Sequence, residues 1–419
     1  MMKSFRDRLP APAGQRHDLS PWSVLKQSMG KELTRITMPV VFNEPLSFLQ
    51  RMTENAEYYP LLVQANNSDD PVNRMELVTA FIVSTLSSNL DRLNKPFNPL
   101  LGETYELQRE DYKIVCEQVS HHPPISALHM ESPSVIFEAN LCPKLRFSGT
   151  QIIIKPEGRM SLTLKRLQET YSWSHVNCVV HNILVGKLWF EQNGQMHISC
   201  KQSSLQASIK FKPAGSDQRD LHRFEGHIID GDERKIRCVF GKWTEYLKVA
   251  PYHDLDHSPR RTSEGPRKMY AKLNRLTQSL TVGSSPAGKS SSAEDDNLVH
   301  PDWRLLWEAN KRPEHSKDHY NFTMFAVALN ELPEGDELQR LPRTDCRFRP
   351  DIRKLEEGDL DGAALEKSRL EEQQRERRKA LKKEGKQWEP LWFKETPEGS
   401  WAFTGQYWKR EFSAAPEIF

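Results

Sequence analysis

The chain has 419 residues, and its 59 lysines and arginines against 57 aspartates and glutamates leave a net charge of only +2. Nucleic-acid binding depends on a strong basic excess, so this balance argues against a nucleic-acid partner and allows only a local anion site. No apolar run approaches the ~20 residues that span a bilayer, and the polar start Met1–Asp7 is not typical of a secretory signal. We therefore expect a cytoplasmic protein.

Length alone leaves the number of domains open, because mostly-β barrels often exceed the usual size of one domain. Scattered thiols in a long chain suit a reducing compartment better than a disulfide framework does. We therefore expect free, mostly buried thiols at the six cysteines, which are Cys116, Cys142, Cys178, Cys200, Cys238 and Cys346.

The first helical pattern follows a polar, proline-containing start. Residues 1–20 are predicted to be a flexible arm, and Ser20 and Pro21 then supply an N-cap residue and a first-turn proline. Apolar residues recur at spacings of three and four, at Trp22, Leu25, Met29 and Leu33. Taken alone, such a stripe is more often part of a core than of a lid.

A second helical pattern runs from Met75 to Leu93 and ends before the break at Asn94–Pro96. Beyond it the pattern changes to β-rich runs separated by Gly, Pro, Asn or Asp. These runs lie at 135–139, 146–155, 160–166, 178–189, 197–201 and 206–211. The middle of the chain is therefore predicted to be a strand-dense antiparallel sheet.

The string EQVSHHPP at Glu117–Pro124 places two histidines between a strand-like stretch and two prolines. Pro123 and Pro124 fix their own φ angles and push His122 toward extended geometry. Two imidazoles held in this way can donate hydrogen bonds to an anion, bind a metal or carry protons.

The alternatives to anion binding differ in what else they require. A metal site needs further ligands, and the chain offers neither a CxxC pair nor an HExxH helix. Catalysis needs a nucleophile with an orienting partner, but no GxSxG elbow or comparable cysteine signature occurs. A purely structural pair that caps a turn remains open beside anion binding.

A Ser-, Gly- and charge-rich stretch at about 255–298 is predicted to be a mobile insertion, because it cannot bury enough apolar surface to become ordered. The ordered chain resumes at Trp303–Trp307 and at Tyr320–Leu329, which has the pattern of a strand.

Near the end, Ala363–Lys383 is rich in helix formers and places Lys367, Glu371 and Arg375 at i, i+4 and i+8. Taken alone, this is typical of a solvated helix with ordinary ion pairs.

These strings together resemble the oxysterol-binding-protein-related lipid transfer proteins, for which EQVSHHPP is a fingerprint. The resemblance covers roughly residues 20–419. Further similar segments are Lys95–Thr104 (KPFNPLLGET), Leu184–Trp189, Gly241–Thr244, Arg349–Asp351 and Trp392–Phe393. Ile36–Val40 and Phe42–Leu49 are most similar to the short, sterol-linked subgroup that includes human oxysterol-binding-protein-related proteins one and two.

The resemblance implies a mostly-β fold with flanking helices, in which an incomplete antiparallel β-barrel encloses a hydrophobic tunnel. It implies one lipid-binding domain at 21–419, with a helical lid at about 21–40 and further helices at the C-terminus. The lid residues would be Trp22, Leu25, Met29, Leu33 and Ile36.

The resemblance also implies the site. His121, His122 and Arg375 would contact the inositol-ring phosphate of a phosphatidylinositol phosphate, while Lys95, Asn98, Lys367 and Glu371 would surround the rest of its headgroup. No catalytic residue, metal or cofactor is implied. We expect bound phosphate to raise the pKa of the histidines, so that affinity falls as pH rises through their titration.

The implied function is intracellular lipid transfer, in which sterol and a phosphatidylinositol 4-phosphate or 4,5-bisphosphate occupy one tunnel in turn and are exchanged between membranes. Phosphatidylserine in place of sterol stays open. Docking on membranes would be peripheral and transient, with a possible endoplasmic-reticulum tether partner, since no clear FFAT motif is evident. The alternatives are a lipid sensor or adaptor that acts through a protein partner and, with no supporting signature, a phosphoinositide enzyme.

Overall fold

The computed structural model describes residues 6–14, 38–183, 186–214, 221–252 and 302–419. The predicted insertion at about 255–298 lies outside these residues, and so do all the predicted lid residues. The latter are Trp22, Leu25, Met29, Leu33 and Ile36. The helices and strands given below are those of the described residues.

In the sequence, three of the described α-helices precede the large sheet and four follow it. They are α1 (Phe48–Thr53), α2 (Tyr59–Asn67), α3 (Pro71–Ser84), α4 (Met324–Val327), α5 (Asp336–Gln339), α6 (Pro350–Glu356) and α7 (Leu360–Lys383). Short 3-10 helices lie at Val40–Phe42, Glu54–Tyr58, Ser87–Asn89, Ser316–Asp318, Cys346–Phe348 and Gln406–Lys409. Aspartates cap the two longest helices, because Asp70 accepts from Val72 N at the start of α3 and Asp359 from Gly362 N at the start of α7.

Two small sheets flank a large one. In the first, β1 (Asn43–Ser47) pairs in parallel with β2 (Lys95–Phe97), and the second is an antiparallel pair of β16 (Phe393–Glu395) and β17 (Trp401–Phe403). The large sheet consists of β3 (Thr104–Gln108), β4 (Lys113–His121), β5 (Pro124–Glu131), β6 (Val135–Ser148), β7 (Gln151–Leu164), β8 (Glu169–Trp173), β9 (Asn177–His181), β10 (Trp189–Cys200), β11 (Gln206–Phe211), β12 (Arg223–Ile229), β13 (Lys235–Lys242), β14 (Tyr246–Pro251) and β15 (Arg304–Glu308).

Neighbouring strands of the large sheet are antiparallel throughout the described residues. The order is β15-β14-β13-β12-β11-β10-β8-β7-β6-β5-β4-β3, and β9 pairs with both β7 and β10. The end strands β3 and β15 do not pair with each other in this order. The sheet is therefore open along one side.

The sheet curves around the three helices that precede it. Helix α1 contacts β3, β4 and β5, α2 contacts β6 and β7, and α3 contacts β11, β14 and β15. Every residue of α3 from Arg74 to Ser84 is buried, and a helix buried on all sides must be enclosed by its neighbours. An open antiparallel sheet that wraps a helical core confirms the predicted incomplete barrel with flanking helices.

Ion pairs tie the enclosed helix to distant strands of the sheet. Arg74 donates to both carboxylate oxygens of Glu169 in β8, at 2.8 and 2.6 Å. Two residues further along α3, Glu76 accepts from Arg237 in β13 at 2.8 Å. The polar groups at the start of α3 thus have partners although they are buried, as an enclosed helix end requires.

Residues 6–14, within the segment predicted to be a flexible arm, contact the folded chain. Leu9 is buried with 2% of its surface exposed. Arg6 donates to the carbonyl of Val327 at 2.8 Å and forms an ion pair with Glu356. Ala13 N donates to the carbonyl of Asp318 at 2.7 Å. This part of the arm therefore packs against the segment around α4 and α6.

Four predicted elements need correction. The β-rich run predicted at 146–155 crosses the turn between β6 and β7, and the run at 178–189 takes in the end of β9 and the first residue of β10. The helix predicted over Met75–Leu93 begins earlier, at Pro71, and its α-helical part ends at Ser84. The strand predicted over Tyr320–Leu329 is wrong, since this run contains a turn and the short helix α4. Thr323 caps that helix by accepting from Ala326 N, so a local hydrogen bond overrides the strand-like composition.

All six cysteines are free thiols, as predicted. Cys116, Cys200 and Cys346 are buried, whereas Cys142, Cys178 and Cys238 are partly exposed. Burial raises the pKa of the Cys116 and Cys346 thiols well above its ordinary value, which keeps both protonated and unreactive at neutral pH.

Candidate functional site

The two histidines of the EQVSHHPP string lie at the turn between two long strands. Strand β4 ends at His121 and β5 begins at Pro124, and these two residues face each other in the register. The peptide bond between His122 and Pro123 is cis. The imidazole ring centroids lie 4.6 Å apart, with His121 half-buried and His122 exposed. The turn thus presents two rings side by side at the end of the sheet.

The KPFNPLLGE segment, residues 95–103, is held in place by Arg349. One guanidinium nitrogen donates to the carbonyl of Asn98 at 2.9 Å and to Glu103 at 2.8 Å. The other two nitrogens donate to Asp351 at 2.9 Å each. Glu103 also accepts from Leu100 N at 2.9 Å. We call Arg349, Glu103 and Asp351 the Arg349 cluster; all three side chains are buried.

Apolar contacts place helix α7 along the same segment. Phe97 packs in one cluster with Ala363 at the start of the helix, and Leu100 packs with Leu370 further along it. Gly102 completes the fit. It has a φ of +80°, and a β-carbon there would lie 2.6 Å from the Trp388 ring, so a side chain is excluded.

Helix α7 carries an ion pair toward this segment. Lys367 is buried, and its ammonium donates to Glu371 at 2.6 Å, the i,i+4 contact that the sequence predicted. Arg375 continues the series less closely. Its guanidinium lies 4.0 Å from Glu371 and forms its nearer ion pair with Glu372, on a half-exposed part of the helix surface.

Gln374 connects the three parts of the site, although sequence reasoning missed it. Its Oε1 accepts from Leu101 N at 2.7 Å, and its Nε2 lies 3.1 Å from Nε2 of His121. One amide side chain therefore joins α7, the 95–103 segment and the histidine turn. We call Lys95, His121, His122, Lys367, Glu371 and Gln374 the cationic site.

Helical geometry explains why Gln374 and Arg378 were missed. At about 100° per residue, a residue eight positions after Lys367 lies about 80° around the helix from it, whereas residues seven and eleven positions later lie within about 20°. Arg375, eight positions after Lys367, therefore lies on a different face of the helix. Gln374 and Arg378, seven and eleven positions after Lys367, lie on the same face. Spacings of four, three and four from Lys367 place Glu371, Gln374 and Arg378 on the same face of the helix.

The electrostatics of the cationic site reflect enclosure first and crowding of positive groups second. Enclosure by protein, followed by the charge of Lys367, lowers the pKa of the Lys95 ammonium, with Glu371 acting in the opposite direction. Lys95 is nevertheless reached by solvent, as expected for a group that lines a concave pocket. Burial, then His122 and Arg378, lowers the pKa of His121 to about 4. Ligand-free His121 is therefore neutral at pH 7.

A small cavity of about 190 Å³ adjoins the cationic site. Leu101, Gln374, Arg378 and Trp388 line it, together with Ile418 of the C-terminal segment. The cavity thus extends from the cationic site past α7 to the C-terminal segment.

Glu117, the first residue of the EQVSHHPP string, has a structural role. It is buried and accepts from Leu391 N at 2.9 Å and from Trp392 N at 3.0 Å. Burial raises its pKa to about 7, although these backbone donors act in the opposite direction. The carboxyl group anchors the C-terminal segment that precedes β16.

The structure therefore brings together five of the seven predicted site residues: Lys95, His121, His122, Lys367 and Glu371. Asn98 lies in the 95–103 segment, where its carbonyl accepts from Arg349, and Arg375 approaches Glu371 only to 4.0 Å while pairing with Glu372. In the described part of the chain, no group of three or more His, Cys, Asp or Glu residues is placed to hold a metal ion. None of the described helices is long and apolar enough to cross a bilayer.

Comparison with known proteins decides the family. The family model "Oxysterol-binding protein" matches residues 20–412, nearly the whole chain. The chain belongs to the oxysterol-binding-protein family. It is 43% identical over 427 residues to human oxysterol-binding protein-related protein 2, covering 100% of this chain and 88% of that protein. It is 42% identical to human oxysterol-binding protein-related protein 1, of which it spans 44%.

Solved structures of the family share the fold. The Osh1 ORD domain in complex with cholesterol matches with a TM-score of 0.81 at 34% identity, covering 100% of this chain and 95% of that one. The Osh3 ORD of Saccharomyces cerevisiae, in complex with PI(4)P, matches with a TM-score of 0.79 at 30% identity, covering 99% of each chain. The sheet, its helical core and the flanking helices are thus those of this family.

Proposed function

We propose that the chain is a lipid transfer protein that holds either a sterol or a phosphatidylinositol phosphate in one tunnel and exchanges them between membranes. One observation carries the proposal. The same fold has been solved with cholesterol in Osh1 and with PI(4)P in Osh3, and both structures match this chain over essentially its whole length. Residues 21–419 act as one lipid-binding unit in this account.

The cationic site supplies the chemistry for the phosphoinositide headgroup. A phosphomonoester carries nearly two negative charges at pH 7 and favours charge-assisted donors. His121, His122 and Arg375 contact the ring phosphate, for which Arg375 turns from Glu372 toward the ligand. Lys95, Asn98, Lys367 and Glu371 surround the inositol ring, where the carboxylate of Glu371 accepts from hydroxyl groups and keeps Lys367 oriented.

The enclosure of these positive groups, together with their crowding, supports this assignment. Lys95 and His121 have lowered pKa values in the ligand-free chain, which means that their charged forms are disfavoured without an anion. A bound phosphate supplies the missing negative charge, so part of the binding free energy comes from relief of this repulsion. Neither ligand is altered covalently, and the protein acts as a carrier, not as an enzyme.

Exclusive occupancy couples the two lipids. Sterol and phosphoinositide compete for the same apolar interior, so loading one requires release of the other. Cytoplasmic protein would dock peripherally and transiently on a phosphoinositide-rich membrane, release sterol and leave with the phosphoinositide. A gradient of phosphoinositide between two membranes then drives sterol transport. An endoplasmic-reticulum tether partner would raise the rate by keeping both membranes within reach.

The direct test is liposome-to-liposome sterol transfer, with phosphatidylinositol 4-phosphate either present in or omitted from the acceptor vesicles. We expect the phosphoinositide to accelerate transfer by the native chain and not by His121→Ala/His122→Ala, which should still extract sterol. A matched control is His197→Ala/His315→Ala, because both of these histidines are exposed; it should behave like the native chain. If the native chain moves neither lipid, the carrier function is wrong and a sensor acting through a protein partner takes its place.

A further inference from the structure

The side-chain amide of Gln374 has only one orientation that fits its neighbours. A backbone N–H can only donate, and Leu101 N lies 2.7 Å from one end of the amide, so that end is the carbonyl oxygen. The other end is then the NH2 group, which faces Nε2 of His121 at 3.1 Å. The backbone of the 95–103 segment thus determines which end of the amide meets the histidine.

An NH2 group can only donate, so Nε2 of His121 must accept and cannot carry a proton. A neutral imidazole has one N–H, and this proton then lies on Nδ1. Nδ1 is shielded from solvent and has no hydrogen-bond partner among the described residues. The ligand-free site therefore holds an enclosed N–H donor whose bond is not made.

An enclosed donor without a partner is destabilising in the free protein and becomes favourable when an acceptor arrives. The charged and titratable groups that face His121 are His122 from the same turn and Glu371 and Arg378 from α7. Arg378 and His122 disfavour a second proton on the ring, whereas Glu371 favours one. Two of the three groups thus act with Gln374 to keep the ring neutral.

We propose that Gln374 is a positioning residue, which holds His121 as the neutral Nδ1–H tautomer so that this ring edge donates to an anionic phosphate oxygen. The inference rests on the proposed function, because the oxygen belongs to the headgroup that the cationic site binds. As the site opens for the ligand, the oxygen takes the unmade hydrogen bond. Gln374 need not touch the ligand to have this effect.

The tautomer can be observed in the ligand-free chain. Long-range proton–nitrogen correlation spectra of protein labelled with 15N-histidine report which ring nitrogen is protonated, and loss of a signal in His121→Asn assigns it. At pH 7 we expect the proton on Nδ1. In Gln374→Glu the carboxylate can only accept, so we expect the proton on Nε2 or on both nitrogens. A native proton on Nε2, or an unchanged Nδ1–H form in Gln374→Glu, would overturn the inference.

Binding of a short-chain phosphatidylinositol 4-phosphate, followed by calorimetry at pH 7, provides the second readout. Gln374→Glu should lose affinity by about tenfold, because the ready donor is gone and a negative charge has been added. Gln373→Glu is the matched control, since it is the same change one residue away, where the side chain meets Arg369. It should stay within about twofold of the native chain. Equal losses of affinity in the two variants would mean that any negative charge added to this helix weakens binding, which would contradict the inference.

The two readouts separate this inference from the function on which it rests. If the native chain binds the phosphoinositide but His121 carries its proton on Nε2, only the role of Gln374 is wrong. If the tautomer is as expected and changes in Gln374→Glu, yet the native chain binds no phosphoinositide, the proposed function fails and the local role of Gln374 in orienting the histidine stands.

Discussion

The Arg349 cluster and the cationic site both contact the 95–103 segment, and their charges are paired differently. In the Arg349 cluster, one guanidinium meets two carboxylates at 2.8 and 2.9 Å. Burial works to lower the pKa of Arg349, but Asp351 and Glu103 hold it above its ordinary value. In the cationic site, by contrast, burial and then neighbouring positive groups lower the pKa values of Lys95 and His121, and no matched carboxylate among the described residues restores them.

This difference separates a structural role from a binding role. Buried charges that stabilise a fold are matched within it, because an unmatched buried charge costs several kcal/mol. A site that binds an anion is instead left with excess positive charge, which the ligand neutralises. The sequence motif around each region does not distinguish the two roles, whereas the pairing of charges does. Variants that remove one charge in or beside each region therefore test the contrast.

The largest expected effect is on stability, in the Arg349 cluster. Arg349→Met leaves two buried carboxylates without their partner, so we expect the free energy of unfolding to fall by about 3–5 kcal/mol. Denaturant unfolding measures it. Arg375→Met makes the same chemical change at a half-exposed position and should change stability by no more than about 0.5 kcal/mol. Equal stability of the two variants would remove the contrast between the regions.

The next effect is on binding and concerns Arg375→Met. Arg375→Met should lower affinity for phosphatidylinositol 4-phosphate by about 10- to 100-fold, because a charge-assisted hydrogen bond to phosphate contributes about 1.5–3 kcal/mol. Calorimetric titration with a short-chain lipid measures it. Arg369→Met, on the exposed face of α7, serves as the control. Native affinity in Arg375→Met would show that this side chain stays with Glu372 in the complex.

A third effect concerns pH and His121, whose pKa in the folded chain is about 4 against an ordinary value of 6.5. Between these values the unfolded chain binds more protons, so this histidine adds stability above pH 6.5 that is lost as pH falls toward 4. Allowing for partial exposure, the native chain should lose about 1–2 kcal/mol more than His121→Asn across this window. Exposed His197→Asn should follow the native profile, and parallel native and His121→Asn profiles would disprove the shift.

The same shift sets the pH dependence of binding. Bound phosphate raises the pKa of His121 above about 4, so affinity should fall as pH rises from there to the raised value and then level off. The contribution of His121 is measured as the ratio of the affinity of the native chain to that of His121→Asn. If this ratio increased with pH, phosphate binding would not raise the pKa of His121, contrary to the prediction.

The smallest effect is expected at Glu117. Glu117→Gln keeps the shape of the side chain but replaces one of the two oxygens that accept from Leu391 N and Trp392 N, so stability should fall by about 1 kcal/mol. Sterol transfer should be unchanged, since Glu117 anchors the C-terminal segment. Exposed Glu110→Gln provides the control for stability. Lost phosphoinositide response in Glu117→Gln would place this residue in the binding site.

Periodicity and motif spacing predicted much of this arrangement. Strand β4, the histidine turn and the Lys367–Glu371 pair follow from local pattern, because alternation and i,i+4 spacing act over a few residues. Tyr320–Leu329 was mistaken for a strand because a cap at Thr323 outweighs composition there. The role of Arg349 was beyond prediction, since it depends on bringing Asn98 and Glu103 to a residue about 250 positions away.

Gln374 shows a different kind of miss. Its spacing from Lys367 was readable in the sequence, but an uncharged amide carries no signal for an anion site. Its importance appears only when Leu101 and His121 are seen on either side of it. Side chains that orient a binding residue, and do not themselves carry charge, are thus found from contacts and not from motifs.

The most direct test of the cationic site is a crystal structure of the full chain with a short-chain phosphatidylinositol 4-phosphate. We expect the ring phosphate within hydrogen-bond distance of His121, His122 and Arg375, with Lys95 and Lys367 facing the inositol ring. A headgroup bound elsewhere, or a ring phosphate that leaves both histidines without contact, would contradict it.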